Sequence, residues 1–431
     1  MIRQAFDRLW NDTRGNIIVI AGAALPLFVG AAGLATDTIQ WTLWKRQLQR
    51  AADSAAIAGV YNRESEANAT TYATAAVEHD LTLNRHMNVN MSTAPTVTFP
   101  ANTGVMTNQV QVVLNVQQRL PFSAMFLATP PTITATARAA SLPAGGEACM
   151  QARETASTTG LTFSGTTDIV MPDCDLFSNS SGSNTSVAKG NAKVEANSVG
   201  GVGGIQSSNN FKVTAYRPYS PPMADPLAAV TPNPADMVCA TGSNATLDHT
   251  IDFATLPAGT NCFSSLDVNS NKTIIVPPNF GPIYINGGNA NIQGTFNCVG
   301  CTIVLTNKSS ASPIGNVTSN GNTGAQINIT APATGPWLGV AIYQDRRAND
   351  CSNCNKINGN TGSIITGAIY FPSQELDYNG NGTAVATCTM FIARRLAFTG
   401  NSSTSNKFKK LSLCYPTGPT GATIRMVRLV G

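Results

Sequence analysis

The sequence predicts a chain of mixed α+β and all-β class in three parts: a single N-terminal transmembrane helix, a small α+β domain and a large distal domain of parallel β-helix type. Three observations carry that prediction. The run Ile17–Ala35 holds no charged residue, strand-like alternation begins near Val97, and a short Gly-Asn signature recurs from about residue 160 onward. Over 431 residues, only 12% are charged while 42% are hydrophobic. An ordinary soluble domain is about 25% charged. The chain therefore builds cores, and Asn, Gly, Ser and Thr replace ions in its turns and on its strands.

Residues 1–15 are expected to form a cytoplasmic tail and residues 16–60 the transmembrane anchor and its continuing helix. The uncharged run is close to the ~20 residues that cross a bilayer as a helix, and Pro26 within it is tolerated better in a membrane than in water. A cleaved secretory signal has an apolar core of only about 7–15 residues, so a retained anchor is the better reading. Arg3, Arg8 and Arg14 precede the run and Lys45, Arg46 and Arg50 follow it. Charge balance alone thus fixes no orientation. Beyond the run, Leu43, Gln47, Arg50 and Ser54 mark one helical face, and Trp44, Leu48, Ala51 and Ala55 mark an apolar one. Trp41 and Trp44 fall where aromatic belts sit. The alanine stripe Ala51, Ala52, Ala55, Ala56 and Ala58 fits either a second helix or sheet of a partner, or the domain's own core.

These residues resemble the TadE/TadG-like proteins of the Tad (Flp, tight adherence) pilus assembly system. Asp12-Thr13-Arg14-Gly15-Asn16 is followed by Leu25-Pro26, Gly30, Gly33, Asp37 and Trp41, then by the stretch from Leu48 through Ala51-Ala52-Asp53 to Gly59. The resemblance implies a minor pilin-like component held in the bacterial inner membrane, with other pilus components or pilins as partners. The orientation of this single pass follows instead from the distal cysteines, which need an oxidising space and place the C-terminal region in the periplasm or outside the cell. Prepilins of that system are cut after a Gly followed five residues later by Glu. Here Ile20 stands at that distance from Gly15, so the anchor is expected to be retained. Some longer relatives carry an Asp-x-Ser-x-Ser metal motif; Asp267-Val268-Asn269-Ser270 is the nearest stretch here and does not match it.

Residues 61–145 read as a pilin-like α+β domain. A helix over 61–90 is expected to turn Tyr72, Ala75, Ala76 and Leu81 inward. Val110, Val112, Leu114 and Val116 then alternate with polar neighbours as a strand, and Thr132–Ala139 alternates likewise. His79, Asp80 and His86 are read as solvated surface.

Residues 146–431 read as an Asn/Gly-rich, disulfide-stapled β-solenoid. The signature appears at Phe163-Ser164-Gly165, Ala188-Lys189-Gly190-Asn191, Ile285-Asn286-Gly287-Gly288, Ile357-Asn358-Gly359-Asn360, Tyr378-Asn379-Gly380-Asn381 and Phe398-Thr399-Gly400-Asn401. The last three recur at the ~20-residue spacing of a repeat architecture. Gly and Asn supply positive-φ turns, and stacked Asn side chains can bond from repeat to repeat. A β-sandwich with Asn-Gly hairpins is the competing plan, with turns every ~8–12 residues. A Pro-rich excursion near 216–236 carries no repeat, and its Pro221-Pro222-Met223-Ala224-Asp225-Pro226-Leu227 is similar to C-terminal parts of some TadG-like proteins.

All 10 cysteines lie between Cys149 and Cys414, which favours disulfides and an oxidising compartment. The pairs Cys298/Cys301 and Cys351/Cys354 could in principle share a zinc ion, but their separation is far longer than in zinc ribbons. Three histidines exclude a His-rich metal site. No basic run appears, so nucleic acid is not an expected partner. Asp345-Arg346-Arg347 with Asp350 is the densest charged spot, and Glu375 and Asp377 alternate along one strand. Neither makes the paired carboxylates of a glycosidase. Asp267, Asn269 and Asn271 lack the Gly and closing Glu of a calcium loop. No catalytic, cofactor-binding or metal residue is assigned. The expected function is non-catalytic support of pilus biogenesis and adhesion to surfaces. The alternative is a membrane-anchored carbohydrate-binding or polysaccharide-degrading β-helix, with surface carbohydrate as partner.

Overall fold

The computed structural model describes residues 16–65, 69–84, 91–242, 245–309, 313–320, 324–359, 363–380, 387–400 and 405–430. Asn360, Asn381, Asn401 and His86 lie outside them. The chain divides into two compact units, residues 1–142 with 427–431, and residues 143–426.

In the first unit, α1 (Asn16–Ser65) runs unbroken through Pro26, and α2 (Ala69–Leu83) follows it. Strands β1 (Thr96–Thr98), β2 (Thr107–Val116) and the first half of β3 (Ile133–Ala152) pair antiparallel. Val110, Val112, Leu114 and Val116 of β2 are all buried, as alternation requires. They pack with Trp44, Leu48, Ala52, Ala55, Ala56 and Val60 of α1. Ala52, Ala55 and Ala56 of the alanine stripe are thus consumed by the unit's own core, with Ala51 partly buried at its edge, and Trp44 belongs to that core rather than to an aromatic belt. The close approach is enforced at Gly59, where a methyl group would press on Val110 and Val77 at 2.9 Å. This also corrects the inward face of α2. Ala73, Val77 and Leu81 point in at helical spacing around Val77, which packs on Gly59, while Tyr72 is 54% exposed and Ala75 is exposed too.

The second unit is β-rich, and its described strand pairings are parallel. One ladder starts at Cys262–Phe263 and climbs through Gly281–Asn286, Cys301–Thr306, Val340–Gln344, Ile364–Gly380 and Thr387–Gly400. There the chain order jumps. Phe391 of that last strand pairs with Met150 of β3, and the ladder continues through Asp168–Ser178, Lys193–Gly201 and Phe211–Arg217. Ile283, Ile303, Ile342, Ile369, Phe391, Met150, Leu176 and Val199 follow one another in register, and all are fully buried. Further short strands repeat the pattern. Thr246–Leu247, Ser265–Val268, Ala290–Ile292 and Val317–Ser319 form a second parallel stack, and Thr273–Ile275, Thr295–Val299 and Gln326–Thr330 a third.

Positive φ at Gly165, Gly190 and Gly287 marks three of the signature turns. Gly190 stacks on Gly165, whose carbonyl oxygen lies 3.3 Å from where a Cβ would be built. Side chains also bond from rung to rung, as Asn328 does to Asn297 at 2.8 Å and Asn291 to Asp267 at 2.9 Å.

Because residues 148–217 extend the end of the ladder that residue 400 reaches, the chain must return to the opposite end before residue 239. The Pro-rich segment 218–237 makes that return as a strap. Ten stacked strands at ~4.8 Å per step require about 43 Å, and twenty residues at ~3.1 Å each supply about 60 Å. Its contacts fall in ladder order. Ser220 N–H donates to Gly201 O, and Met223 N–H to Asn179 at 2.9 Å. Gln151 donates to Met223 O at 3.0 Å, Tyr343 hydroxyl to Val230 O at 2.8 Å and Lys308 to Met237 O at 2.9 Å. Cys239, at the strap's end, is disulfide-bonded to Cys262. Parallel strands need cover on both faces, and over Tyr343 and Tyr370 the strap supplies the outer one.

Candidate functional site

Three places could carry function, and their chemistries differ. The first is the start of α1. Leu25, Leu27, Phe28, Val29 and Leu34 are exposed, with Phe28 at 70%. The helix Ile20–Glu64 contains an 18-residue stretch apolar and long enough, by length and composition, to cross a membrane. Its exposed turns before Asp37 have little cover from their own unit, whereas a soluble helix would hide at least one apolar stripe. Asp37 is the first charge after the run and is 3% exposed. Its Oδ2 accepts the Ser123 N–H at 2.5 Å. Further along, Gln49 donates to Thr136 O at 2.9 Å and Lys45 to Thr134 O, tying the helix to β3.

The second place is the charge cluster of the distal unit. Asp225 in the strap binds Arg153 and Arg346, each at 3.3 Å, and accepts the Tyr370 hydroxyl at 2.6 Å. Glu154 accepts from Arg394 at 2.9 Å and from Arg395 at 2.8 Å, with the Thr155 and Ala156 N–H groups at 3.1 Å. Arg395 also reaches Glu375 at 3.0 Å and Asp350 at 2.7 Å. Burial would raise the Glu154 carboxyl, but the hydrogen bonds from Arg394, Ala156 and Arg395 outweigh it and hold the group at about 2. Burial likewise opposes ionisation of Asp345, yet Arg347 and the Thr306 hydroxyl bring it below the usual range. Asp377 moves the other way, raised by burial and then by Glu375. The carboxylates of Glu154, Asp225, Asp345 and Glu375 are therefore spent on ion pairs and hydrogen bonds, which is how buried charge is tolerated. A general acid needs a proton to give near neutral pH, and Glu154 holds none there.

Sequence reading singled out Asp345-Arg346-Arg347, and the structure keeps that spot but splits it. Arg347 folds back on Asp345 at 2.8 Å, while Arg346 turns to the strap. Glu375 joins the Arg395 cluster and Asp377 does not. Asp267 is held by Ser265 at 2.8 Å and by Asn291. Asp80 accepts from Ser54 at 3.0 Å. Arg153-Glu154 and Arg394-Arg395 were missed, although two adjacent charges in so uncharged a chain were a visible signal. Each C-x-x-C pair closes on itself, Cys298 with Cys301 and Cys351 with Cys354, so these thiols are not shared by one metal. Cys149–Cys174 and Cys388–Cys414 complete the pairing.

The third place is a polar cleft of about 240 Å³ lined by Asn184, Ser186, Val187, Ala188, Gln206, Ser207 and Ser208. It offers amides and hydroxyls and no charge.

Comparison with known proteins bears on the first place alone. Neither the curated proteins nor the solved structures give a match. Residues 15–69 match the family described as "Putative Flp pilus-assembly TadE/G-like". The matched segment takes in the exposed apolar turns, Asp37 and the buried stripe of α1, so the similarity to the TadE/G-like family lies in the N-terminal part of this chain.

Proposed function

We propose that the chain is a non-catalytic, membrane-anchored, minor pilin-like component of a Tad/Flp-type pilus assembly system that supports pilus biogenesis and surface adhesion. One observation carries the reading: the TadE/G-like match falls on a helix whose first turns expose their apolar side chains. Lipid of the inner membrane covers those turns, and pilins or other pilus components are the protein partners. The distal unit is read as a parallel β-helix standing in the periplasm or outside the cell. Its in-register parallel stacks support the β-helix, and five disulfides support the oxidising side. The absence of catalysis is supported by the occupied carboxylates of the charge cluster. Deleting the gene is expected to abolish pili and surface attachment; wild-type piliation in the deletion strain contradicts the proposal.

The uncharged cleft at Ser186–Ala188 favours a second reading, a membrane-anchored carbohydrate-binding β-helix, since amide and hydroxyl linings suit neutral sugars. Binding of the full chain to a glycan array, lost on Gln206→Ala, would move the assignment there; a blank array would remove it.

A further inference from the structure

We propose that the loop Pro121–Ala128 is a second membrane contact, an apolar wedge lying in the interfacial layer of the bilayer beside α1 at the level of Gly30–Gly33. The inference rests on the reading of α1 as a membrane anchor. The loop joins β2 to β3 and holds a one-turn 3-10 helix, Ser123–Met125. Between Arg119 and Arg138 the sequence has no charged residue. Met125 is 77% exposed and Phe126 64%, and Leu127 is exposed beside them. A connecting loop in water shows the opposite composition, and contiguous exposed apolar groups mark an interaction surface.

Its position selects lipid as the occupant. The Phe122 ring rests on Gly33, where a methyl group would overlap it, and a Cβ at Gly30 would stand 4.0 Å from Phe126 Cζ. The exposed face of the loop is therefore continuous with Leu27 and Leu34, which flank Gly30 at i−3 and i+4 on the same helix face, part of the surface that the bilayer covers. The polar groups lie at the loop's edges. The Ser123 N–H is given to Asp37, and Arg119 closes the neck by donating to Ala128 O at 2.8 Å. An unpaired carboxylate at the membrane boundary is costly, so this bond both satisfies Asp37 and pins the wedge. Apolar side chains held in the headgroup layer beneath a polar rim are the arrangement of interfacial segments. Two points of attachment fix the depth and rotation of α1.

The test uses the full chain, disulfides intact, in vesicles of phosphatidylethanolamine and phosphatidylglycerol doped with a lipid whose photoreactive diazirine lies near the headgroup end of the acyl chain. Labelled peptides are mapped by mass spectrometry. The expected result is label on both the 121–128 peptide and α1. With Met125→Asp and Phe126→Asp combined, the loop loses its label and the helix keeps it. Label on the helix alone overturns the wedge and leaves the anchor standing. Label on neither overturns the anchor and the wedge with it. A cross-link from the loop to a second copy, or a loop label that survives the double variant, also overturns the wedge.

Discussion

The strand Val340–Gln344 and the helical turn Leu25–Val29 are both uncharged, yet every residue of the first is buried and every residue of the second is exposed. Hydrophobicity does not separate them; the source of their cover does. The distal unit brings its own, laying a Pro-rich strap across its ladder and pairing arginines with carboxylates on both. The N-terminal helix packs its apolar side chains on its own unit from Trp41 onward, whereas most residues of the turns before Asp37 are exposed. Contiguous exposed apolar surface on one helix marks where a partner sits, and in the function proposed above that partner is a bilayer.

Breaking the saturated side should cost most. Arg395→Met strands Glu154, Asp350 and Glu375 without their shared guanidinium, and a buried pair broken from one side loses about 3–5 kcal/mol. Urea unfolding of the full chain in detergent should show that loss in the distal transition. Removing the staple at the strap's end with Cys239→Ser and Cys262→Ser together should cost roughly 3 kcal/mol, the chain-entropy value for a loop of this size, read as a lower midpoint of the same transition.

Acid sharpens the comparison. The Glu154 carboxyl is depressed from 4.5 to about 2, so its contribution is fully present above 4.5 and is lost as pH falls through 2. The distal midpoint should hold down to about pH 4.5 and fall below it, and Glu154→Gln should remove that part of the acid response. In the first unit, Gly33→Leu drives a side chain into the Phe122 ring and should cost about 1–3 kcal/mol without moving the distal transition. The smallest effect belongs to the bare turns. Phe28→Ala should change the unfolding free energy by no more than about 0.5 kcal/mol, whereas a core phenylalanine such as Phe391 truncated to Ala should lose about 3–5 kcal/mol.

Sequence patterns disclosed what depends on neighbours along the chain. The uncharged run, the alternation of β2, the Gly turns and the repeat-free Pro-rich segment were all visible as local periodicity or its interruption. The ladder's jump from Phe391 to Met150 was not, since register between strands some 240 residues apart leaves no local trace. For the same reason Arg394 and Arg395 could be seen but not their partner Glu154. The inward face of α2 was misjudged at Tyr72 because it is set by the Gly59 contact rather than by hydrophobicity. The exposure of Met125-Phe126-Leu127 and the contact of Phe122 with Gly33 likewise left no local signal in the sequence.

The most direct measurement of the account is alkaline carbonate extraction of cell membranes followed by protease treatment of spheroplasts. The account predicts that the intact chain stays in the carbonate-washed pellet, that removing residues 17–35 releases it, and that protease added outside reaches the distal unit. A full chain that leaves the pellet with the soluble proteins, or a distal unit shielded from external protease until the membrane is opened, would contradict it.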